Sequence, residues 1–214
     1  MQIDFKKFDF FVFDCDGVIL ESNLLKTIAF ENSLSEYPDE KVFKFIKYHK
    51  SNGGVSRYKK FEYFFKEVMK IKHRDNLMKQ ALKNYESYVF KELLSCNFIP
   101  GVKKFLKHLK EINKDIYVNS GSSEKELKEI FKLRKIDHFF KNVMGSPNTK
   151  KDNMNKIILE REDFEKGLYF GDSKLDLDIA NQFSLSFIFV NGFSEWVDSP
   201  VNLTTLNDFR DINF

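Results

Sequence analysis

Phe8-Asp9-Phe10-Phe11-Val12-Phe13-Asp14-Cys15-Asp16-Gly17 is the stretch on which the fold turns. An apolar, aromatic-rich run stops abruptly at Asp14, and such a run bounded by polar residues and a glycine reads as a buried strand of a parallel sheet. Residues two apart on an extended chain face the same side, so Asp14 and Asp16 can address one ligand. Carboxylates that close repel unless a cation intervenes, which favours Mg²⁺. The bland alternative is an Asp-Gly turn after a strand, a common arrangement.

Working outward, the character changes between Asn23 and Ser95. Glycine occurs there only at Gly53-Gly54, and apolar residues such as Phe61, Phe64, Phe65 and Val68 recur at helical steps. Leu77, Ala81, Leu82 and Tyr85 repeat the pattern, so the stretch reads as a helical insertion of roughly 70 residues. Pro100-Gly101 punctuates the return, and strand and helix signals then alternate. Helices are predicted over Val102–Leu109, Glu124–Leu133, Asn153–Glu160 and Leu175–Phe183. Strands are predicted over Ile116–Val118, Val143–Met144, Leu168–Phe170 and Phe187–Val190. Ser123 and Glu126 stand in capping-box spacing. This alternation implies an α/β fold with a parallel sheet and right-handed crossovers.

Composition bounds the partners. The chain has 214 residues, enough for one domain and a smaller inserted one. Its formal net charge of +3, from 35 basic and 32 acidic residues, is too balanced to point to nucleic acid. His49, His73, His108 and His138 lack ligand spacing. The two cysteines, Cys15 and Cys96, suggest neither a disulfide framework nor a zinc site, and a reducing, cytoplasmic location is expected. The first residues form no signal peptide, and no apolar stretch approaches the roughly 20 residues needed to cross a bilayer, so no membrane partner is expected. With 25 phenylalanines, much of the core should be aromatic.

In open parallel sheets, ligands bind at the carboxyl ends of the strands. Four predicted strands end in chemistry. Asp14 and Asp16 follow the first. Val118-Asn119-Ser120-Gly121-Ser122 ends the second, where a hydroxyl and backbone N–H groups can cradle phosphate, or simply cap a helix. Gly145-Ser146-Pro147-Asn148-Thr149-Lys150-Lys151 follows the third, and a lysine there can neutralise phosphate and carboxylate together, although one lysine among many usually does nothing. Gly171-Asp172-Ser173-Lys174-Leu175-Asp176 follows the fourth and offers an oxygen-rich pair to a hard cation, or merely an acidic first helical turn.

Taken in order, Asp-x-Asp-Gly-Val at 14–18, strand-Ser-Gly at 120–121, Ser-Pro-x-x-Lys at 146–150 and Gly-Asp-Ser-x-x-Asp-x-x-x-Ala at 171–180 resemble the four motifs of the haloacid dehalogenase-like superfamily. More narrowly, the chain resembles members with a helical cap after the first motif, such as phosphoglycolate phosphatases and β-phosphoglucomutases. The resemblance implies a Rossmann-like, doubly wound parallel sheet core over 1–22 and 96–214, with an inserted α-helical cap domain over 23–95. It further implies Asp14 as nucleophile, Asp16 as general acid/base, Ser120 as phosphate ligand, and Lys150, or its neighbour Lys151, as charge neutraliser. Mg²⁺ would be held by Asp14, Asp172 and the Asp16 carbonyl, with Asp176 supporting its water shell or pairing with Lys150. Gly121 and Ser122 would bind substrate together with the cap loop at 51–57, through Gly54 and Arg57. Arg57 or Lys60 there would meet a second anionic group or sugar hydroxyls. Glu21 departs from the family, whose members commonly carry Asp before the serine, and this bears on cap closure.

The implied activity is Mg²⁺-dependent hydrolysis of a small phosphomonoester through an aspartyl phosphate, or else a phosphomutase that shares every catalytic residue; a monomer or homodimer is expected. A cysteine phosphatase needs Arg six positions after its nucleophile, where Cys15 has Glu21 and Cys96 has Val102. A dehalogenase lacks the second carboxylate, which Asp16 supplies. A phosphonate-cleaving relative needs a cap lysine for a Schiff base, and Lys26 is the candidate. A non-catalytic binding module is disfavoured by the complete set of catalytic residue types.

Overall fold

The computed structural model describes residues 3–161 and 166–212. Six parallel strands form one sheet in the order β3-β2-β1-β4-β5-β6. They are β1 (Phe10–Phe13), β2 (Asp115–Ser123), β3 (Asn142–Ser146), β4 (Gly167–Gly171), β5 (Ser186–Val190) and β6 (Thr205–Leu206). Between β1 and β2 come α1 (Asn23–Ser33), α2 (Asp39–Ser51), α3 (Arg57–Tyr63) and α4 (Asp75–Ser95), then α5 (Val102–Glu111). Further helices, α6 (Glu124–Leu133), α7 (Lys150–Leu159) and α8 (Lys174–Gln182), alternate with the remaining strands.

Both faces of β1 are covered, which is why its sequence runs apolar without alternation. Phe11 and Phe13 join the core under α5 and α6, whereas Phe10 and Val12 join the one under α7 and α8. Phe13 stacks on Phe170 with ring centres 4.7 Å apart, and Phe105 from α5 sits edge-on to Phe170 at 5.5 Å. Burying each such ring contributes on the order of 1.5–3 kcal/mol. The sheet is therefore doubly wound. Strand order reverses at β1, between β2 on one side and β4 on the other, and such a reversal opens a crevice at the strands' carboxyl ends.

Helices α1 to α4 enclose an aromatic cluster of their own. Phe30 packs against Tyr85 at 4.4 Å, Phe61 at 5.1 Å and Phe45 at 5.3 Å. After α3 the chain continues as a π-helical stretch, Phe64–Val68, and all of Phe61, Phe64 and Phe65 are buried. Among the described residues, no helix is long and apolar enough to cross a membrane.

Several boundaries differ from the periodicity. Phe8 lies outside β1, because the 3-10 turn Phe5–Lys7 ends there and turns the Phe8 ring onto Phe11. β2 continues through Ser120 to Ser123, past an irregularity in its pairing with β3. α7 begins at Lys150 rather than Asn153, because Thr149 and Asp152 exchange side-chain-to-backbone hydrogen bonds in a capping box. β6 had no sequence signal, being only two residues long.

Candidate active site

Pairing of β1 with its neighbours sets the frame. Phe13 lies level with Val118 of β2 and Phe170 of β4, and the Asp14 N–H donates to the Phe170 carbonyl at 2.9 Å. Asp14 and Asp172 thus leave adjacent strands side by side. Asp176 reaches the same point from the first turn of α8, where Ser173 caps the helix and donates its hydroxyl to Asp176 Oδ2 at 2.6 Å. Asp14, Asp172 and Asp176 each present a carboxylate oxygen within 4.8 Å of the others. Lys150, the first residue of α7, sets its Nζ 2.6 Å from Asp176 Oδ1 and 3.0 Å from Asp14 Oδ1. It is the lysine at the carboxylates; Lys151 is exposed. Tyr169 adds an O–H donor to Asp176 Oδ1 at 2.9 Å.

This cluster is short of positive charge. Burial raises the Asp14 carboxyl to about 7, with Lys150 opposing and Asp176 and Asp16 reinforcing the rise. Burial, then the charges of Asp14 and Asp176, hold Asp172 well above the usual carboxylate range. The Lys150 ammonium is held above its ordinary value by Asp14 and Asp176, against its burial. Asp14 Oδ1 faces that ammonium yet accepts no hydrogen bond among the described residues. Three buried carboxylates against one ammonium lack two positive charges, so the donor set fits a divalent, oxygen-seeking cation such as Mg²⁺. Gly17 accommodates the arrangement: its φ is +73°, and a Cβ there would run into Asp172 Oδ2 and Asn23 Nδ2.

Asp16 sits apart from the cluster with partners of its own. Ser22 donates to its Oδ1 at 2.5 Å and Ser122 to its Oδ2 at 3.0 Å, while the Lys26 ammonium contacts both Asp16 Oδ2 and Ser122 Oγ. Burial pushes Asp16 upward, but Lys26 and these hydrogen bonds outweigh it and hold the carboxyl below its ordinary range. Lys26, in turn, is raised by Asp16 despite its own burial, so it lacks the depressed basicity that Schiff-base chemistry needs. Cys15, between the two aspartates, is fully buried in the main core.

The remaining expected residues meet where the insertion touches the sheet. Ser120 is buried in β2 and its Oγ accepts from the Ser122 N–H at 3.1 Å. Gly121 lies against the Gly54 carbonyl so closely that a Cβ would collide with it. Gly54, Arg57, Gly121 and Ser122 share with Asp14, Asp16 and Asp172 the lining of a cavity of about 70 Å³. Arg57, however, is 3% exposed and forms a two-pronged ion pair with Glu126 of α6, at 2.5 and 3.1 Å, with its guanidinium over the Tyr85 ring. At the other crossing, Glu21 pairs through its N–H with the Asn97 carbonyl at 3.0 Å and accepts from the Asn97 side chain at 3.2 Å.

Sequence reasoning passed over several residues that meet here. Asn23 donates to Asp172 Oδ2 at 2.5 Å and to the Phe193 carbonyl at 2.8 Å. His49, Glu195 and Trp196 join Lys60 in the cavity lining. None belongs to a motif with internal spacing, so only the packing of α1, α2 and the 191–197 loop could reveal them.

The fold recurs among known proteins. No curated protein sequence matches the chain at a significant level. Among solved structures, one described as a predicted phosphoglycolate phosphatase from Haemophilus somnus superposes with a TM-score of 0.76 at 17% identity, covering 97% of each chain. A β-phosphoglucomutase from Clostridium difficile gives 0.72 at 17% identity, over 97% of this chain and 94% of the other. A haloacid dehalogenase-like family protein from Streptococcus pneumoniae gives 0.67 at 18%, over 94% of each. These likenesses establish the shared fold. The model of the haloacid dehalogenase-like hydrolase family matches residues 11–190, and the chain belongs to that family.

Proposed function

We propose that the protein is an Mg²⁺-dependent phosphatase of small phosphomonoesters, with 1–22 and 96–214 as catalytic core and 23–95 as cap. The observation that carries this is the buried Asp14, Asp172 and Asp176 cluster, with Lys150 as its one ammonium, at the strand-order reversal. The names of two structural neighbours, a predicted phosphoglycolate phosphatase and a β-phosphoglucomutase, support phosphoryl chemistry.

In the proposed mechanism Asp14 attacks phosphorus in line, expelling the alcohol and forming an aspartyl phosphate that water then hydrolyses. Asp16 delivers a proton to the leaving oxygen and takes one from the incoming water. Ser22, Ser122 and Lys26 hold Asp16 for that task. Lys150 balances charge on Asp14 and on the transferring group, and backbone N–H groups near Ser120 and Gly121 receive phosphoryl oxygens. Asp14, Asp172 and the Asp16 carbonyl would hold the divalent ion, with Asp176 behind them; when bound it neutralises charge on the phosphoryl oxygens. The Gly54–Gly121 contact seats the 51–57 loop on the end of β2 beside the cavity, where closure would limit the access of water.

A panel of phosphate esters assayed with Mg²⁺ and with EDTA tests this directly. Inorganic phosphate should appear only with the metal and should vanish in Asp14→Asn; near wild-type turnover in that variant ends the mechanism. Isomerised sugar phosphate in place of free phosphate would identify a mutase of the β-phosphoglucomutase type.

A further inference from the structure

The three clustered carboxylates are held in place by different means. Asp14 faces the Lys150 ammonium, and Asp176 accepts from Lys150, Tyr169 and Ser173. Those donors all come from the sheet and its helices. Asp172 differs. Among the described residues its side chain accepts one hydrogen bond, from Asn23 Nδ2 to Oδ2 at 2.5 Å. Asn23 is the first residue of α1 and belongs to none of the four motifs.

We infer that Asn23 is a positioning residue for the divalent ion: by taking one oxygen of Asp172 it fixes the carboxylate and leaves the other for the metal. This rests on the ion site of the phosphatase reading above, and adds to it a residue of the helical insertion.

The physical reason lies in how the amide is anchored. A metal ligand binds well when a partner behind it fixes its orientation, and a neutral donor does so without offering a competing charge. The Asn23 NH₂ group has two hydrogens to give, and the second goes to the Phe193 carbonyl at 2.8 Å. That carbonyl can only accept, so the nitrogen of the amide, and not its oxygen, faces Asp172. The segment after β5 also holds the Asp172 backbone directly. Ser194 donates its hydroxyl to the Asp172 main-chain carbonyl at 2.5 Å and accepts from the Trp196 N–H at 3.0 Å. One loop therefore fixes Asp172 twice, at the backbone through Ser194 and at the side chain through Asn23. Gly17 leaves the gap that the bond crosses, since a Cβ there would run into both Asn23 Nδ2 and Asp172 Oδ2. Ser22, one residue earlier, gives its hydroxyl to Asp16. The start of α1 thus orients an acid on either side of the site.

The test is calorimetric titration with Mg²⁺ alone as the probe, on wild type, Asn23→Leu and Asn23→Gln. Leu matches Asn in shape and donates nothing, so the Mg²⁺ dissociation constant should rise about 10–100-fold. Gln keeps the amide on a longer arm and should restore part of the affinity. The melting temperature in EDTA should stay close to wild type, whereas the stabilisation on adding Mg²⁺ should shrink by about 1.4 kcal/mol for each tenfold loss of affinity. A merely structural role would do the reverse, lowering stability in EDTA and leaving the Mg²⁺ constant alone. Asn23→Ala, which adds no bulk, takes the place of Leu if that variant does not fold. A constant within about threefold of wild type in the donor-less variant overturns the inference and leaves the phosphatase function standing. A Gln variant that binds no more tightly than Leu does the same, because the loss then belongs to shape and not to the donated bond. Weakened Mg²⁺ binding in Asn23→Leu, with no phosphate released from any ester by wild type, upholds the positioning role and ends the phosphatase function. If wild type binds no Mg²⁺, both fall.

Discussion

Neutralising Asp172 by Asp172→Asn should make the metal-free protein more stable while destroying its response to Mg²⁺. In the folded chain without metal, burial and then the charges of Asp14 and Asp176 hold the Asp172 carboxyl well above its usual range. Unfolded, it ionises with an ordinary pKa of about 3.9, so above that pH the folded state holds a proton that the unfolded state releases, and this weighs against folding. Coulomb's law sets the size: an ionised Asp172 has a carboxylate oxygen of Asp14 and of Asp176 within 4.8 Å, and one such pair at that limit repels by about 3.5 kcal/mol at an effective dielectric constant of 20. Lys150 offsets part of this, which sets the expected gain at about 2–4 kcal/mol at neutral pH. Folded Asp172 binds more protons than unfolded Asp172 above about pH 4, so wild-type stability in EDTA falls as pH rises from there; the variant's advantage grows over the same window and vanishes near pH 4. The assay is urea and thermal unfolding in EDTA at about pH 4 and pH 7, where a roughly 4–16 °C rise in melting temperature is expected at the higher pH. Adding Mg²⁺ at 100 times its dissociation constant should stabilise wild type by about 2.7 kcal/mol and the variant by far less. A variant that is less stable than wild type at neutral pH in EDTA, or equally stabilised by Mg²⁺, refutes the reasoning.

Lys150→Met removes the one ammonium of the carboxylate cluster, and a loss of about 3–5 kcal/mol in EDTA, with a fall of about 10²–10³ in kcat with Mg²⁺, is expected from urea titrations and steady-state kinetics. In EDTA, the part of wild-type stability linked to Asp14 should decline between about pH 4 and pH 7 and level off above, since its folded carboxyl is raised to about 7 and the folded state holds the extra proton in that window; saturating Mg²⁺ should flatten the profile, which pH-dependent unfolding reads directly. Gly121→Ala drives a methyl into the Gly54 carbonyl, so kcat/KM should fall at least about tenfold with little change in melting temperature, and an unchanged rate would deny that the contact seals the site. Phe105→Ala opens a cavity beside Phe5, Phe170 and Phe209 and should cost about 3–5 kcal/mol in urea unfolding while leaving KM unchanged.

Much of the architecture was legible because its signals are local. The run Phe10–Phe13 is apolar at every position, and that alone marks a strand covered on both faces. Ser123 accepts from the Glu126 N–H at the start of α6, where the spacing of the two residues places a helix N-terminus. The end of β2 was less legible, because Asn119-Ser120-Gly121-Ser122-Ser123 has neither apolar periodicity nor turn chemistry; its pairing with β3 extends it. The start of α7 was hidden by its polar first turn, where the capping exchange of Thr149 and Asp152 outweighs the late onset of apolar spacing.

For the site the division is sharper. Sequence alone determined which residues leave the ends of strands, because an apolar run that stops at Asp14 or Asp172 ties each carboxylate to a strand terminus, and the parallel sheet then brings the termini to one rim. Helical spacing also marked the stretch from Asn23 to Ser95, where α1 to α4 lie. Only the tertiary structure decided which cations meet which acids. Lys26, Arg57 and Lys60 are similar residues on similar helices, yet among the described residues Asp16 takes the first, Glu126 the second, and no carboxylate the third. Pairing of that kind depends on where long side chains from separate helices converge after packing, and nothing in the local spacing of the chain encodes it.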